Sequence, residues 1–329
     1  MKVGVSEWSL HQNFGRTVKP PTPMNVMQFI DLAGRWKADG LQIESVPDDE
    51  KAVAEIRSRA EKLGLYIEVE AGGLKPERIA KKLQAAKLLG AKVLRTFPAI
   101  DRYRKDIPLG RQLKTAEENL RQIAAAAEKL NILVGVENHQ NLVIDKVEKQ
   151  DITGAELAEL LDRVDSPFVG VCLDTGNAIG LLEDPMEAAK MLAPRTVTVH
   201  LKDYRIKRTF RGAEFAGCAL GRGSIDLSAI LRLLRERSPL GDNLCLNVEA
   251  AVERISVPFL DPEFWDGYAP GDAARVPAYL RFIRDHGEPP ETDFRMPVEQ
   301  GRTLDEVLAH ECECNRESIA YARKLLAAL

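Results

Sequence analysis

Four apolar runs in this sequence each end in a side chain able to bind a cation: Val134-Gly135-Val136-Glu137, Val171-Cys172-Leu173-Asp174, Val197-Thr198-Val199-His200 and Leu246-Asn247-Val248-Glu249. Three carboxylates and one imidazole form a mostly hard donor set, suited to one divalent ion, Mn²⁺ first, with Mg²⁺, Co²⁺ or Zn²⁺ as alternatives. Taken singly, each residue reads more simply as a solvated strand end or half of an ion pair. Gathered at one place, three carboxylates repel one another unless a cation neutralises them, and Lys202 cannot replace a doubly charged ion. Other polar groups also close apolar runs. Glu7, Trp8, Glu44, Glu70 and Arg95 follow earlier runs and are candidates to shape a polyol pocket, with solvation or internal pairing as the competing reading. His139 follows Glu137 by two residues, as a candidate acid or base or a supporting hydrogen-bonding group. Lys202 is a candidate for a substrate oxygen, with Asp203 as the group that would fix it.

Such residues act together only if the chain brings the run ends to one place. Short β-branched runs cover Val3 to Ser6, Leu41 to Glu44, Tyr66 to Glu70, Val93 to Thr96, Leu133 to Glu137, Val169 to Asp174, Val197 to His200 and Leu244 to Glu249. Most are continuously apolar, as strands buried on both faces are. Amphipathic segments with helical spacing lie between them, such as Val26-Phe29-Ile30-Ala33 and Leu120-Ile123-Ala127-Leu130. Boundary residues agree: Gly64 and Gly90 end helices, Thr153 with Glu156 forms a capping box, and Asp226 caps the next helix. Eight strand-helix units predict one closed (β/α)₈ barrel over residues 1–329, an α/β fold whose C-terminal strand ends form the functional mouth. A doubly wound open sheet shares the alternation and is the runner-up. Residues 254–301 interrupt the last unit; rich in proline and aromatics and without strand periodicity, they read as an insertion, either a lid, a subunit contact or a patch packed on the barrel.

Composition narrows the class of function. A net charge of −4 disfavours a nucleic-acid partner, and no apolar run is long enough to span a bilayer. The N-terminus lacks a cationic, then apolar, leader, so a cytoplasmic location is expected. Cys312 and Cys314 sit two apart on a predicted helix, point in different directions and make a poor metal pair.

The strings Val136-Glu137-Asn138-His139, Leu173-Asp174-Thr175-Gly176-Asn177, Val199-His200-Leu201-Lys202-Asp203 and Asn247-Val248-Glu249 resemble the xylose isomerase-like barrels, which include ketose epimerases, hydroxypyruvate isomerases, inositol-catabolism dehydratases and endonuclease IV. Gly221-Arg222-Gly223-Ser224-Ile225-Asp226 and Glu317-Ser318-Ile319-Ala320-Tyr321 extend the resemblance toward the C-terminus. It implies that Glu137, Asp174, His200 and Glu249 ligate a metal, with Glu137 and Glu249 as proton-transfer bases on either side of a substrate. Asn177 departs from the pattern, standing where many of the epimerases carry a substrate-contacting histidine. Endonuclease IV is set aside, because its zinc cluster needs more histidines than the five here supply. The expected activity is isomerisation or epimerisation of a small sugar or keto-sugar through an enediolate. A lyase using the same enolate, either a keto-polyol dehydratase or an enzyme cleaving 3-keto C-glycosides, is the alternative; a barrel that only binds or assembles is a third. The 254–301 insertion is the candidate surface for a homo-oligomer or partner subunit.

Overall fold

The computed structural model describes residues 1–140, 152–250 and 253–329. Eight parallel strands close into a barrel in the order β1 (Lys2–Ser6), β2 (Gly40–Ile43), β3 (Tyr66–Glu70), β4 (Val93–Thr96), β5 (Leu133–Glu137), β6 (Val169–Asp174), β7 (Thr196–Leu201) and β10 (Cys245–Val248), which returns to β1. The closed barrel is the predicted fold, and the open-sheet alternative falls. Each helix of the outer ring buries one face. Between β4 and β5, for instance, the helix Leu109–Leu130 turns Ala116, Leu120, Ile123 and Ala127 inward. The predicted boundaries stand: Gly64 and Gly90 take φ of 70° and 76° where helices end, and Thr153 and Glu156 cap each other. Among the described residues, no helix is long and apolar enough to cross a membrane.

The barrel interior is polar, against the reading of its strands as continuously apolar. Glu68 on β3 accepts hydrogen bonds from Gln42 on β2, Thr198 on β7 and Asn247 on β10, so its carboxylate reaches across the lumen. One level nearer the strands' N-terminal ends, Tyr66 donates to Asn247 Oδ1 at 2.9 Å. Its ring leaves no room beside β2: a Cβ on Gly40 would fall 2.2 Å from it. Glycine at 40 is what admits the tyrosine.

Residues 254–301 are more regular than expected. Arg254–Val257 forms a strand, β11, that pairs antiparallel with β9 (Ala213–Gly217), itself the partner of β8 (Tyr204–Arg208). This three-stranded sheet ties the segment to the loop after β7, and the helix Val276–His286 packs against β8. The aromatics are used inside the chain: Phe259 meets Tyr279 edge-on at 5.5 Å, Phe264 stacks on Tyr268 at 5.2 Å, and Arg205 and Lys207 cover Phe294. A single four-residue strand, Arg254-Ile255-Ser256-Val257, followed by a proline-rich stretch, carries too little periodicity to be read from sequence.

Candidate metal centre

Glu137 and Asp174 are the last residues of β5 and β6, His200 lies one residue before the end of β7, and Glu249 follows β10 directly. Parallel pairing brings them to within two residues of a common register: Glu137 is opposite Cys172, Asp174 is opposite His200, and His200 is opposite Asn247, two residues before Glu249. One donor atom from each residue lies within 4.8 Å of every other. His200 Nδ1 faces this cluster, 3.3 Å from Glu137 Oε1, 3.8 Å from Asp174 Oδ2 and in close contact with Glu249 Oε2.

The local sequence orients each carboxylate. Asp174 Oδ1 accepts the backbone N–H groups of Gly176 and Asn177 at 2.8 and 2.9 Å, leaving Oδ2 for the cluster. Asn138 clamps the Asp174 backbone, its Oδ1 accepting from N at 2.8 Å and its Nδ2 donating to O at 3.0 Å. Glu137 is held from two sides, by an ion pair to Arg95 and by Asn177 Nδ2, which donates to Oε1 at 3.0 Å. Lys202 Nζ lies 3.0 Å from Asp174 Oδ2, 3.3 Å from Glu249 Oε1 and 3.3 Å from Asn177 Oδ1. Burial alone would raise the Glu249 carboxyl, but His200 and Lys202 beside it prevail and hold it well below the usual carboxylate range.

The donor set fits a divalent cation. Asp174 Oδ2 and Glu249 Oε2 converge with Glu137 on one buried point, with Lys202 and His200 beside them, and three buried carboxylates so close repel one another unless a doubly charged ion joins them. His200, Glu137, Asp174 and Glu249 are the residues that would hold it.

The remaining candidates separate. Arg95, Asn177 and Lys202 join the cluster. His139 lies beside it instead, its ring stacked on Phe97 at 4.1 Å, with Arg95 over the other ring of that pair at 5.0 Å. Trp8 and Glu44 belong to a separate patch at the ends of β1 and β2, organised by Arg16: its guanidinium lies 4.1 Å from the Trp8 ring, pairs with Glu7 and sits 3.4 Å from Glu44. Asp203 does not fix Lys202. Its carboxylate instead accepts from the backbone N–H groups of Gly221, Gly223, Tyr204 and Ile225. A Cβ on Gly223 would fall 2.1 Å from Asp203 Oδ1, so the Gly-Arg-Gly string wraps an internal anion.

Glu70 completes the rim, fully buried, accepting from Ser6 Oγ at 2.9 Å and 3.6 Å from Arg95. Burial pushes its carboxyl up to about 7, against the downward pull of Arg95 and His200. A carboxyl whose pKa rises on folding favours the fold while protonated, so its contribution is present below the unfolded pKa near 4.5 and lost as pH rises through 7. Compared with Glu70→Gln in chelator, the wild type is expected to lose up to about 3 kcal/mol across that window, read from urea midpoints at successive pH values.

With this geometry in place, comparisons with known proteins fix the class. The family described as "Xylose isomerase-like TIM barrel" matches residues 30–250, and the chain belongs to it. It is 27% identical over 245 residues to the 3-oxo-isoapionate decarboxylase of Pectobacterium atrosepticum, covering 71% of this chain and 81% of that protein. Among solved structures, D-psicose 3-epimerase superposes with a TM-score of 0.59 at 15% identity, over 99% of both chains. The IOLI protein with a bound zinc atom superposes with a TM-score of 0.59 at 15% identity, over 88% of this chain and all of that one.

Proposed function

We propose that this chain is a divalent-metal-dependent enzyme that forms an enediolate from a small keto-sugar or keto-sugar acid, and that the outcome is cleavage, making it a lyase that decarboxylates or eliminates. One observation carries the choice of outcome: the two flanking glutamates are unequal. Glu137 is clamped by Arg95 and Asn177, neither of them a candidate ligand, whereas Glu249 is held, among the described residues, only by His200, its neighbour in the cluster, and by Lys202 at 3.3 Å. Inverting a carbon by proton transfer needs a free base on each face, while a cleavage that ends in one protonation needs only one. Glu137, Asp174, His200 and Glu249 would hold a divalent cation, Mn²⁺ first, which would supply charge stabilisation to the developing enediolate.

The chain's own residues do the rest. Lys202, whose ammonium stands between Asp174 and Glu249, binds a substrate oxygen, a carboxylate in the decarboxylating case. In that case the bond from the carbon beside the ketone to the carboxylate breaks, its electron pair enters the enediolate, carbon dioxide leaves, and the carbon takes one proton from solvent, relayed through the Glu249 carboxylate. His139 and the patch holding Trp8 and Glu44 line the approach. The relative named for decarboxylating 3-oxo-isoapionate supports this outcome. Isomerisation or epimerisation is the second reading, favoured by the placement of Glu137 and Glu249 in one cluster. A cytoplasmic enzyme with a small-molecule substrate fits either.

Product analysis in D₂O decides between them. Mn²⁺-loaded protein is incubated with a panel of 3-keto aldonates, keto-polyols and ketoses. The expected product has lost carbon dioxide or a β-substituent and, after decarboxylation, carries one solvent deuterium on carbon. A product of conserved mass with exchanged carbon-bound hydrogen would assign the isomerase or epimerase instead.

A further inference from the structure

Beneath the mouth, a buried polar chain leads from the barrel centre to His200. His200 Nε2 lies 2.6 Å from Gln42 Oε1, and Gln42 Nε2 donates to Glu68 Oε2 at 2.9 Å. The same carboxylate oxygen accepts from Thr198 Oγ1 at 2.7 Å and Asn247 Nδ2 at 2.9 Å. Gln42, Glu68, Thr198, His200 and Asn247 are all fully or almost fully buried.

Only one arrangement of hydrogens satisfies this chain. An oxygen already receiving Thr198 and Asn247 is an acceptor, so the Gln42 amide must turn its nitrogen to Glu68 and its oxygen to His200. That oxygen requires a hydrogen on Nε2. Nδ1, which faces the three carboxylates, is then the nitrogen left to give its lone pair to a cation placed among them. We propose that Gln42, held by Glu68, is a positioning residue that fixes the His200 tautomer and ring orientation so that Nδ1 is presented to the cation. The proposal rests on the metal reading above and adds a part to it: a glutamine and glutamate that touch neither ion nor substrate set the ion's affinity.

The test compares wild type, Gln42→Met and Thr198→Val by titration calorimetry with Mn²⁺, thermal melting, and ¹⁵N NMR of histidine-labelled, Zn²⁺-loaded protein. Gln42→Met keeps the length and burial of the side chain but accepts no hydrogen bond from Nε2. It is expected to lose roughly 10- to 100-fold in Mn²⁺ affinity and to release the His200 Nε2 proton to faster solvent exchange. Thr198→Val removes a donor from Glu68 while sparing Gln42. It is expected to lower the melting temperature and leave Mn²⁺ affinity near that of wild type. Unchanged affinity in Gln42→Met, or an equal loss in Thr198→Val, overturns the positioning role. Failure of the metal reading is distinguishable, because the wild type itself then binds no Mn²⁺.

Discussion

Glu249→Gln is expected to lower kcat/KM by about 10³-fold or more at saturating Mn²⁺, a loss in the range that general acid-base catalysis supplies. The substitution keeps the shape of a buried side chain and removes the charge that His200 and Lys202 stabilise. Metal binding weakens without vanishing, because Glu137, Asp174 and His200 remain. Steady-state kinetics across a Mn²⁺ titration separate the two effects: a binding defect is recovered at high metal and a missing proton relay is not. Glu137→Gln sharpens the test. Glu137 already spends its carboxylate on Arg95 and Asn177, so its loss should act mainly through metal affinity and be largely recovered by excess Mn²⁺. Equal, unrecovered losses in both variants would instead show two working bases and move the assignment to epimerisation.

The four-residue cluster was legible in the sequence because parallel strands buried on both faces leave polar residues at their ends. Glu137, Asp174, His200 and Glu249 each stood immediately after apolar residues, and the closed parallel barrel gathers those strand ends at one mouth. Gln42, Glu68, Thr198 and Asn247 were passed over for the same reason: they sit inside those runs, and a β-branched strand is read as apolar even when alternate residues point into a polar lumen. Their spacing of two from Glu44, Glu70, His200 and Glu249 was the available signal. Lys202 was placed beside the site, but its partners were not; an ion pair across strands has no sequence spacing. The sheet joining Tyr204–Arg208, Ala213–Gly217 and Arg254–Val257 was invisible for a different reason, since its edge strand comes from a segment 37 positions further along the chain than the end of its neighbour.

Arg95→Met is expected to destabilise the metal-free protein by about 3 to 5 kcal/mol, the usual cost of removing one partner from a buried ion pair. Arg95 is 4% exposed, and its guanidinium stands between two buried carboxylates, paired with Glu137 and 3.6 Å from Glu70. Methionine fills much of the volume against Phe97 but leaves both acids without their cation. Burial already pushes Glu70 up to about 7 with Arg95 present, so its loss should drive Glu70 further toward the neutral form and shift the cost to Glu137. Two additions locate the penalty. Glu70→Leu on the Arg95→Met background removes one stranded carboxylate and should restore part of the urea midpoint; Mn²⁺ should restore another part by neutralising Glu137 from its other side. Arg95→Lys should fall between wild type and methionine, since an ammonium keeps the charge but cannot present a planar fork to two carboxylates at once. A methionine variant as stable as wild type in chelator would mean that Glu137 and Glu70 are not both ionised in the folded protein, and that the asymmetry between Glu137 and Glu249 has another source.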